Sequence, residues 1–315
     1  MANTADVVAI VPCYNEEATV GKVVRDLMAA VPGITVFVYD NNSTDGTARA
    51  AAAAGAIVRT EYRKGKGNVV RRAFADIDAE VYLLIDGDDT YEAADAPTLI
   101  AALREGPLDQ VVGVRTQAVG ASAYRPGHEA GNRLFNRLVG LLFGERVTDM
   151  LTGYRVFSRR FVKSFPALAR EFEIETELTV HAANLRVPQR EIPVGFRDRP
   201  EGSESKLNTY SDGFRILRLI VQLWQHERPV AFYGVIAAVF AVIGLILGIP
   251  VIVEFFATGL VARFPTAFLA ATLIVLAFAS LTLGLILNGI LRVRKEVARL
   301  EYLHWAPPAP AEGLR

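Results

Sequence analysis

Three carboxylates, Asp86, Asp88 and Asp89, fall within four positions directly after the apolar run Tyr82-Leu83-Leu84-Ile85. A run of that length predicts a strand, which places the acidic cluster at its carboxyl end. Like charges gathered so closely need a reason. Hard divalent ions such as Mg2+ or Mn2+ take oxygen ligands, and they bind one or two protein carboxylates together with substrate phosphates. Asp86-Gly87-Asp88 at the lip of a sheet suits that chemistry. An acidic turn capping the helix after Asp95 has the same local composition, so the surrounding elements must decide between the two.

Those elements alternate. Residues 6–11, 35–39, 57–59, 81–85 and 110–114 read as apolar strands, with helices expected over 17–30, 45–54 and 68–77. Helix 17–30 has an apolar side at Val20, Val23, Val24 and Leu27. Repeated βα units with continuous apolar strands imply a parallel sheet with helices on both faces. Ligands of such sheets bind outside the carboxyl ends of the strands. Three polar clusters lie at those ends: Pro12-Cys13-Tyr14-Asn15-Glu16, Asp40-Asn41-Asn42-Ser43-Thr44-Asp45-Gly46 and Asp86-Gly87-Asp88-Asp89. They are expected to converge on one crevice. Lys64-Gly65-Lys66-Gly67-Asn68, just before a helix, offers cationic side chains and permissive backbone for an anion, although an ordinary turn has the same residues. No Gly-x-Gly-x-x-Gly opens the first helix and no Gly-Lys-Ser/Thr loop follows a strand, which disfavours dinucleotide enzymes and P-loop NTPases.

The 315 residues are 51% hydrophobic with a formal net charge of zero, too apolar for a disordered chain. The apolar excess is concentrated in 230–256 and 267–291, each longer than the roughly 20 residues that cross a bilayer. Arg215, Arg218 and Arg228 precede the first run; Arg292, Arg294, Lys295 and Arg299 follow the second; Arg263 alone is basic between them. That asymmetry predicts two spans with both termini cytoplasmic. Residues 211–225 have the mixed apolar and basic composition of an interfacial helix, and 139–143 read either as a membrane contact or as packing under the sheet. Cys13 is the only cysteine, and no basic segment followed by an apolar one opens the chain, so neither disulfides nor a cleaved signal is expected. Four scattered histidines argue against zinc. Domains are therefore expected at 1–210 (cytosolic, α/β), 211–228 (interfacial), 229–292 (two-helix transmembrane hairpin) and 293–315 (cytosolic tail, loose from 306).

Val11-Pro12-Cys13-Tyr14-Asn15-Glu16-Glu17, Asp40-Asn41-Asn42-Ser43-Thr44-Asp45-Gly46-Thr47, Asp86-Gly87-Asp88-Asp89 and Asp149-Met150-Leu151-Thr152-Gly153-Tyr154-Arg155 occur in this order. As a set they resemble an inverting family 2 glycosyltransferase of GT-A, Rossmann-like fold, in its polyprenyl-phosphate sugar synthase branch. The resemblance spans residues 6–228. It implies that Pro12, Tyr14, Glu16 and Asp40 hold the nucleoside, that Lys66 lies in the donor site, and that Asp86 and Asp88 hold the metal and diphosphate. Asp88 or Asp89 would be the base if one is used, and Thr90 stands where relatives often have Gln. It implies further that Arg115, Arg199, Ser205 and Lys206 surround the acceptor phosphate, with Arg115 close to the chemistry. For Arg155 and Glu175 a purely structural role stays open, since Glu173 and Glu175 also suit an amphipathic helix running to Leu185.

The expected activity is inverting sugar transfer from a nucleotide sugar to polyprenyl phosphate at a cytosolic membrane face, with Mg2+ or Mn2+. The Asp-Gly-Asp-Asp-Thr-Tyr and Lys-Gly-Lys-Gly-Asn segments resemble the UDP-glucose or UDP-N-acetylglucosamine side of the branch more than the GDP-mannose side. The expected partners are donor, lipid acceptor and bilayer, without nucleic acid, and a homo-oligomer stays open. A processive polysaccharide synthase would share the fold, but a Gln-x-x-Arg-Trp motif is missing. A non-enzymatic membrane scaffold would keep the spans and have no need of clustered carboxylates.

Overall fold

Strand β1 (Ala5–Cys13) sends Val7, Ala9, Val11 and Cys13 into one core cluster and Val8 and Ile10 into another. β2 (Thr35–Asp40) and β4 (Ala79–Leu84) alternate in the same way, with Val36, Val38, Val81 and Leu83 on the first side and Phe37, Tyr39, Tyr82 and Leu84 on the second. Burial on both sides explains why these strands read as unbroken apolar runs. The first face is covered by α1 (Val20–Ala30) and α4 (Ala96–Glu105), the latter following a short 3-10 turn at Ala93–Asp95. The second is covered by α3 (Lys66–Asp76), α5 (Arg159–Ser164) and α6 (Ile174–Leu185). A computed structural model describes residues 5–117, 148–167, 174–197, 218 and 221–308.

With β3 (Ile57–Thr60), β5 (Gln110–Gln117), β6 (Arg155–Ser158) and β7 (Gln189–Phe196), the seven strands lie in the order β3-β2-β1-β4-β6-β5-β7. β1 is parallel to β2 and β4, β2 to β3, and β5 to β7. β6 runs against both β4 and β5. The sheet is thus mostly parallel, as expected, with one reversed strand. Sequence reading found neither β6 nor β7: β6 has four residues, all buried, and starts with an arginine, and β7 is only partly buried. α2 (Thr47–Ala53) completes the β2–β3 crossover.

The chain divides into two units, Met1–Asp212 with Val297–Arg315, and Gly213–Glu296. In the second unit, residues 221–227 are helical, while most of the expected interfacial helix lies outside the described residues. α7 (Pro229–Thr258) and α8 (Phe264–His304) are both long and apolar enough to cross a bilayer. Their outward faces carry exposed Ile246, Phe256, Phe268 and Phe278, and charge pairs sit near their ends, Glu227–Lys295 at 3.1 Å and Glu254–Arg263 at 3.3 Å. The expected contact at 139–143 lies outside the described residues.

The second helix does not stop at 291. It continues to His304, and its end belongs to the first unit, where part of the expected tail is ordered and packed. Tyr302 is buried and donates to Asp109 Oδ2 at 2.7 Å; Arg299 donates to the Leu185 carbonyl at 3.3 Å. Asp109, fully buried, also accepts from Ser158 Oγ (2.6 Å) and from Arg160. Tyr302→Phe removes one donor from a buried carboxylate and is expected to destabilise the first unit by about 1–3 kcal/mol, read as a lower thermal midpoint.

Candidate active site

The chain leaves β4 at Leu84, and the Asp86-Gly87-Asp88-Asp89 turn follows at its carboxyl end, beside the carboxyl ends of β1 and β2. Gly87 lies directly over Cys13: a Cβ there would overlap Cys13 Sγ and come within 3.4 Å of Val11 Cγ1. Its carbonyl accepts from Thr19 Oγ1 at 2.7 Å, which ties the turn to the start of α1. Gly87→Ala is expected to destabilise by about 1–3 kcal/mol through overpacking. Pairing it with Cys13→Ala clears the overlap and is expected to recover most of the loss; a double variant no better than the single in thermal unfolding would refute that account.

Cys13 also reports the convergence of the polar clusters. Burial pushes its thiol well above the ordinary value, and the charges of Glu16, Asp86, Asp40 and Asp88 push it further in the same direction. The three loops expected to meet do so here: Cys13 pairs with Asp40 in the sheet, its carbonyl accepts from the Asn41 amide at 2.9 Å, and Gly87 lies over its sulfur. Asp40 closes β2 opposite Cys13 and accepts from the Ser43 amide at 3.3 Å. Glu16 is buried, its amide donating to Thr47 Oγ1 at 2.8 Å. Pro12 pairs with Tyr39 in the sheet, and the Tyr14 ring lies 4.6 Å beneath Lys64 Nζ. Asn41 fixes the following loop: its amide nitrogen donates to the carbonyls of Glu61 and Arg63, and its oxygen accepts from the Gly65 amide at 2.6 Å.

That anchoring starts α3 at Lys66, earlier than the expected residue 68, so Lys66 lies in the helix's first turn. Its ammonium bridges Asp86 Oδ1 at 2.5 Å and Glu175 Oε1, on α6, at 2.6 Å. One positive charge serves two negative ones. Burial pulls the Lys66 pKa down, but the charges of Asp86 and Glu175 outweigh it and hold the ammonium protonated, above its usual range. Burial pushes the Glu175 carboxyl up, against Lys66 and together with Asp86. Glu175 therefore does not mark a solvated helix face; it points into the site. The loop before β6 roofs this trio: a Cβ on Gly153 would overlap Asp86 Oδ2 and come within 2.9 Å of Lys66 Nζ.

Asp88 Oδ1 accepts from Thr90 Oγ1 at 2.7 Å and from the Thr90 amide at 3.2 Å, so Thr90 orients Asp88. Asp89 adopts a left-handed φ of 58°, sparsely populated for a residue with a Cβ. Its carboxylate contacts Lys22 (3.0 Å) and Arg197 (2.6 Å), and its carbonyl accepts from Arg197 Nε (2.8 Å). Arg197, directly after β7, escaped sequence reading; the one available signal was a cation at the carboxyl end of a strand. Asp95 does not cap α4 with its side chain, which instead accepts from the Gly195 amide at 2.8 Å.

Arg115 on β5 forms a two-bonded pair with Asp149, both distances 2.7 Å, and its guanidinium lies 5.4 Å from the Phe196 ring centroid. Arg155, fully buried, laces the preceding loop by donating to the carbonyls of Met150 and Thr152 and to Thr179 Oγ1; burial lowers its pKa to about 10. Arg199, Ser205 and Lys206 lie outside the described residues. Among the described residues, no three Asp, Glu, His or Cys side chains form a metal cage. The carboxylates of Asp86 and Asp88 at this turn are oxygen donors, the chemistry that fits a hard cation completing its shell with a diphosphate.

The glycosyl transferase family 2 pattern matches residues 8–165. The chain belongs to this family. The glycosyltransferase AglJ of Haloferax volcanii is 34% identical over 253 residues, covering 80% of this chain and 83% of that protein. A dolichyl-phosphate hexose transferase of the same organism is 30% identical over 223 residues, covering 71% of this chain and 96% of that protein. Among solved structures, glucosyl-3-phosphoglycerate synthase from Mycobacterium tuberculosis, in complex with Mn2+, UDP and phosphoglyceric acid, superposes with a TM-score of 0.58 at 23% identity, covering 70% of this chain and 78% of that one. The glycosyltransferase has the expected GT-A fold, a mixed seven-stranded sheet between helices, followed by two apolar helices.

Proposed function

We propose that this glycosyltransferase moves one sugar from a UDP-sugar, glucose or N-acetylglucosamine, to polyprenyl phosphate at the cytoplasmic face of the cell membrane, with Mg2+ or Mn2+. The observation that carries this reading is the gathering of Asp40, Asp86, Asp88 and Lys66 at the carboxyl ends of parallel strands, in a chain that also has two bilayer-length helices. The relative named for dolichyl phosphate supports the acceptor class, and the solved structure with UDP and Mn2+ supports the donor class.

In this reading Asp40 and Glu16 accept from the nucleoside, with Pro12 and Tyr14 beside it. Lys66 faces the diphosphate, and Asp86 and Asp88 hold the metal. When bound, the metal neutralises charge on the departing diphosphate. The acceptor phosphate oxygen attacks the anomeric carbon opposite the leaving group, forming the new C–O bond as the bond to diphosphate breaks, which inverts the configuration. That nucleophile is already anionic, so the protein's task is positioning more than proton removal. Asp149 orients the Arg115 guanidinium, and Arg199, Ser205 and Lys206 join it around the acceptor phosphate; planar guanidinium forks match phosphate oxygens. Asp89, held by two cations, fixes the turn that carries Asp88.

The test supplies radiolabelled UDP-glucose, UDP-N-acetylglucosamine or GDP-mannose with polyprenyl phosphate to the full-length protein in lipid. A singly glycosylated lipid from one UDP-sugar is expected. A mannosyl lipid would replace the donor, a polymer would point to a processive synthase, and turnover only with a soluble acceptor would refute the lipid reading.

A further inference from the structure

Glu175 is a buried carboxylate on a helix whose other buried neighbours include Ile174, Thr176, Leu178 and Thr179. A buried charge is costly, and an apolar or amide side chain of similar shape would pack there at lower cost. Its partner is Lys66, held at 2.6 Å, and the same ammonium touches Asp86 at 2.5 Å. Three elements therefore meet on one nitrogen: the first turn of α3, the end of β4 and the start of α6. The roof at Gly153 leaves no room for even one added methyl group. If Asp86 turns its charge to a cation, as the donor reading requires, Lys66 keeps Glu175 as its anionic anchor.

Resting on that donor reading, we infer that Glu175 is a positioning residue, which fixes the Lys66 ammonium beside Asp86 so that it meets the donor diphosphate. Glu175 itself touches no substrate. It sets the place of the cation that does, and without it a four-carbon stem leaves that cation free to swing.

The test is UDP and GDP binding by calorimetry on the full-length protein in lipid nanodiscs, with Mn2+ and with chelator, for wild type, Glu175→Gln, Lys66→Met and the double variant Lys66→Met/Glu175→Leu. Glu175→Gln is expected to weaken UDP binding about tenfold or more, the scale of a lost charge-assisted contact. Lys66→Met is expected to lose at least as much. The double variant is expected to bind no worse than Lys66→Met alone, because a residue acting through Lys66 has nothing left to position. It removes Lys66 and the deeply buried Glu175 together, so the only charge left without its partner is that of Asp86, which is part-exposed. Wild-type affinity in Glu175→Gln, whether or not its thermal midpoint falls, would make Glu175 a structural residue only. Losses that multiply in the double variant would show that Glu175 acts independently of Lys66. Failure of the wild type to bind either nucleotide would overturn the donor reading and this inference together, an outcome distinct from the other two.

Discussion

Asp88→Asn is expected to lower turnover by at least about two orders of magnitude while leaving the fold intact. Asparagine has the same shape, and its oxygen can still accept from the Thr90 amide and hydroxyl as Asp88 Oδ1 does, so the turn keeps its internal bonds. What disappears is one of the two negative charges that the proposed metal site would offer a hard cation. Asp86→Asn differs in an informative way. It also takes a partner from Lys66, and is therefore expected to weaken donor binding as well as turnover. Steady-state kinetics across a Mn2+ titration, with UDP affinity measured separately, distinguishes the two. Full activity of both variants in metal-free buffer would remove the metal from the mechanism.

The fold was readable where burial acts on both faces of a strand. β1, β2 and β4 each divide their side chains between two cores, so Val7–Cys13, Val36–Tyr39 and Val81–Leu84 are apolar throughout and the parallel sheet follows. The motif clusters were readable because short chain segments hold them: Asp40 to Gly46 and Asp86 to Asp89 are each one turn at a strand end. The pairing of Lys66 with Glu175 was not. Glu175 has Glu177 two positions on, which resembles a solvated helix, and nothing in local spacing signals that a lysine far back in the chain faces one of them. Asp89 was hidden for a different reason. Beside Asp88 it reads as a candidate base, and its left-handed backbone and the Lys22 and Arg197 cations around its carboxylate come from tertiary contact that spacing does not show. Tyr302 follows a stretch rich in Arg and Glu, so its burial against Asp109 depends wholly on tertiary contact.

Gly153→Ala is expected to raise the donor dissociation constant at least tenfold and to lower turnover about 100-fold, the cost of displacing catalytic groups by an ångström or so. The backbone at this position cannot retreat. The Gly153 amide donates to Tyr91 Oη at 3.0 Å, Thr152 Oγ1 donates to the Gly113 carbonyl at 2.6 Å, and Arg155 clamps the Thr152 and Met150 carbonyls from within the core. An added Cβ would overlap Asp86 Oδ2 and lie 2.9 Å from Lys66 Nζ, so the side chains must give way, and these are the two groups assigned to metal and diphosphate. The atoms displaced are side-chain ends, so folding is expected to survive with a modest fall in thermal midpoint while binding and turnover do not. UDP calorimetry beside thermal unfolding separates these effects. A Gly153→Ala protein with wild-type UDP affinity and turnover would mean that the roof loop yields instead, and that Asp86 and Lys66 need not hold this geometry for the donor to bind.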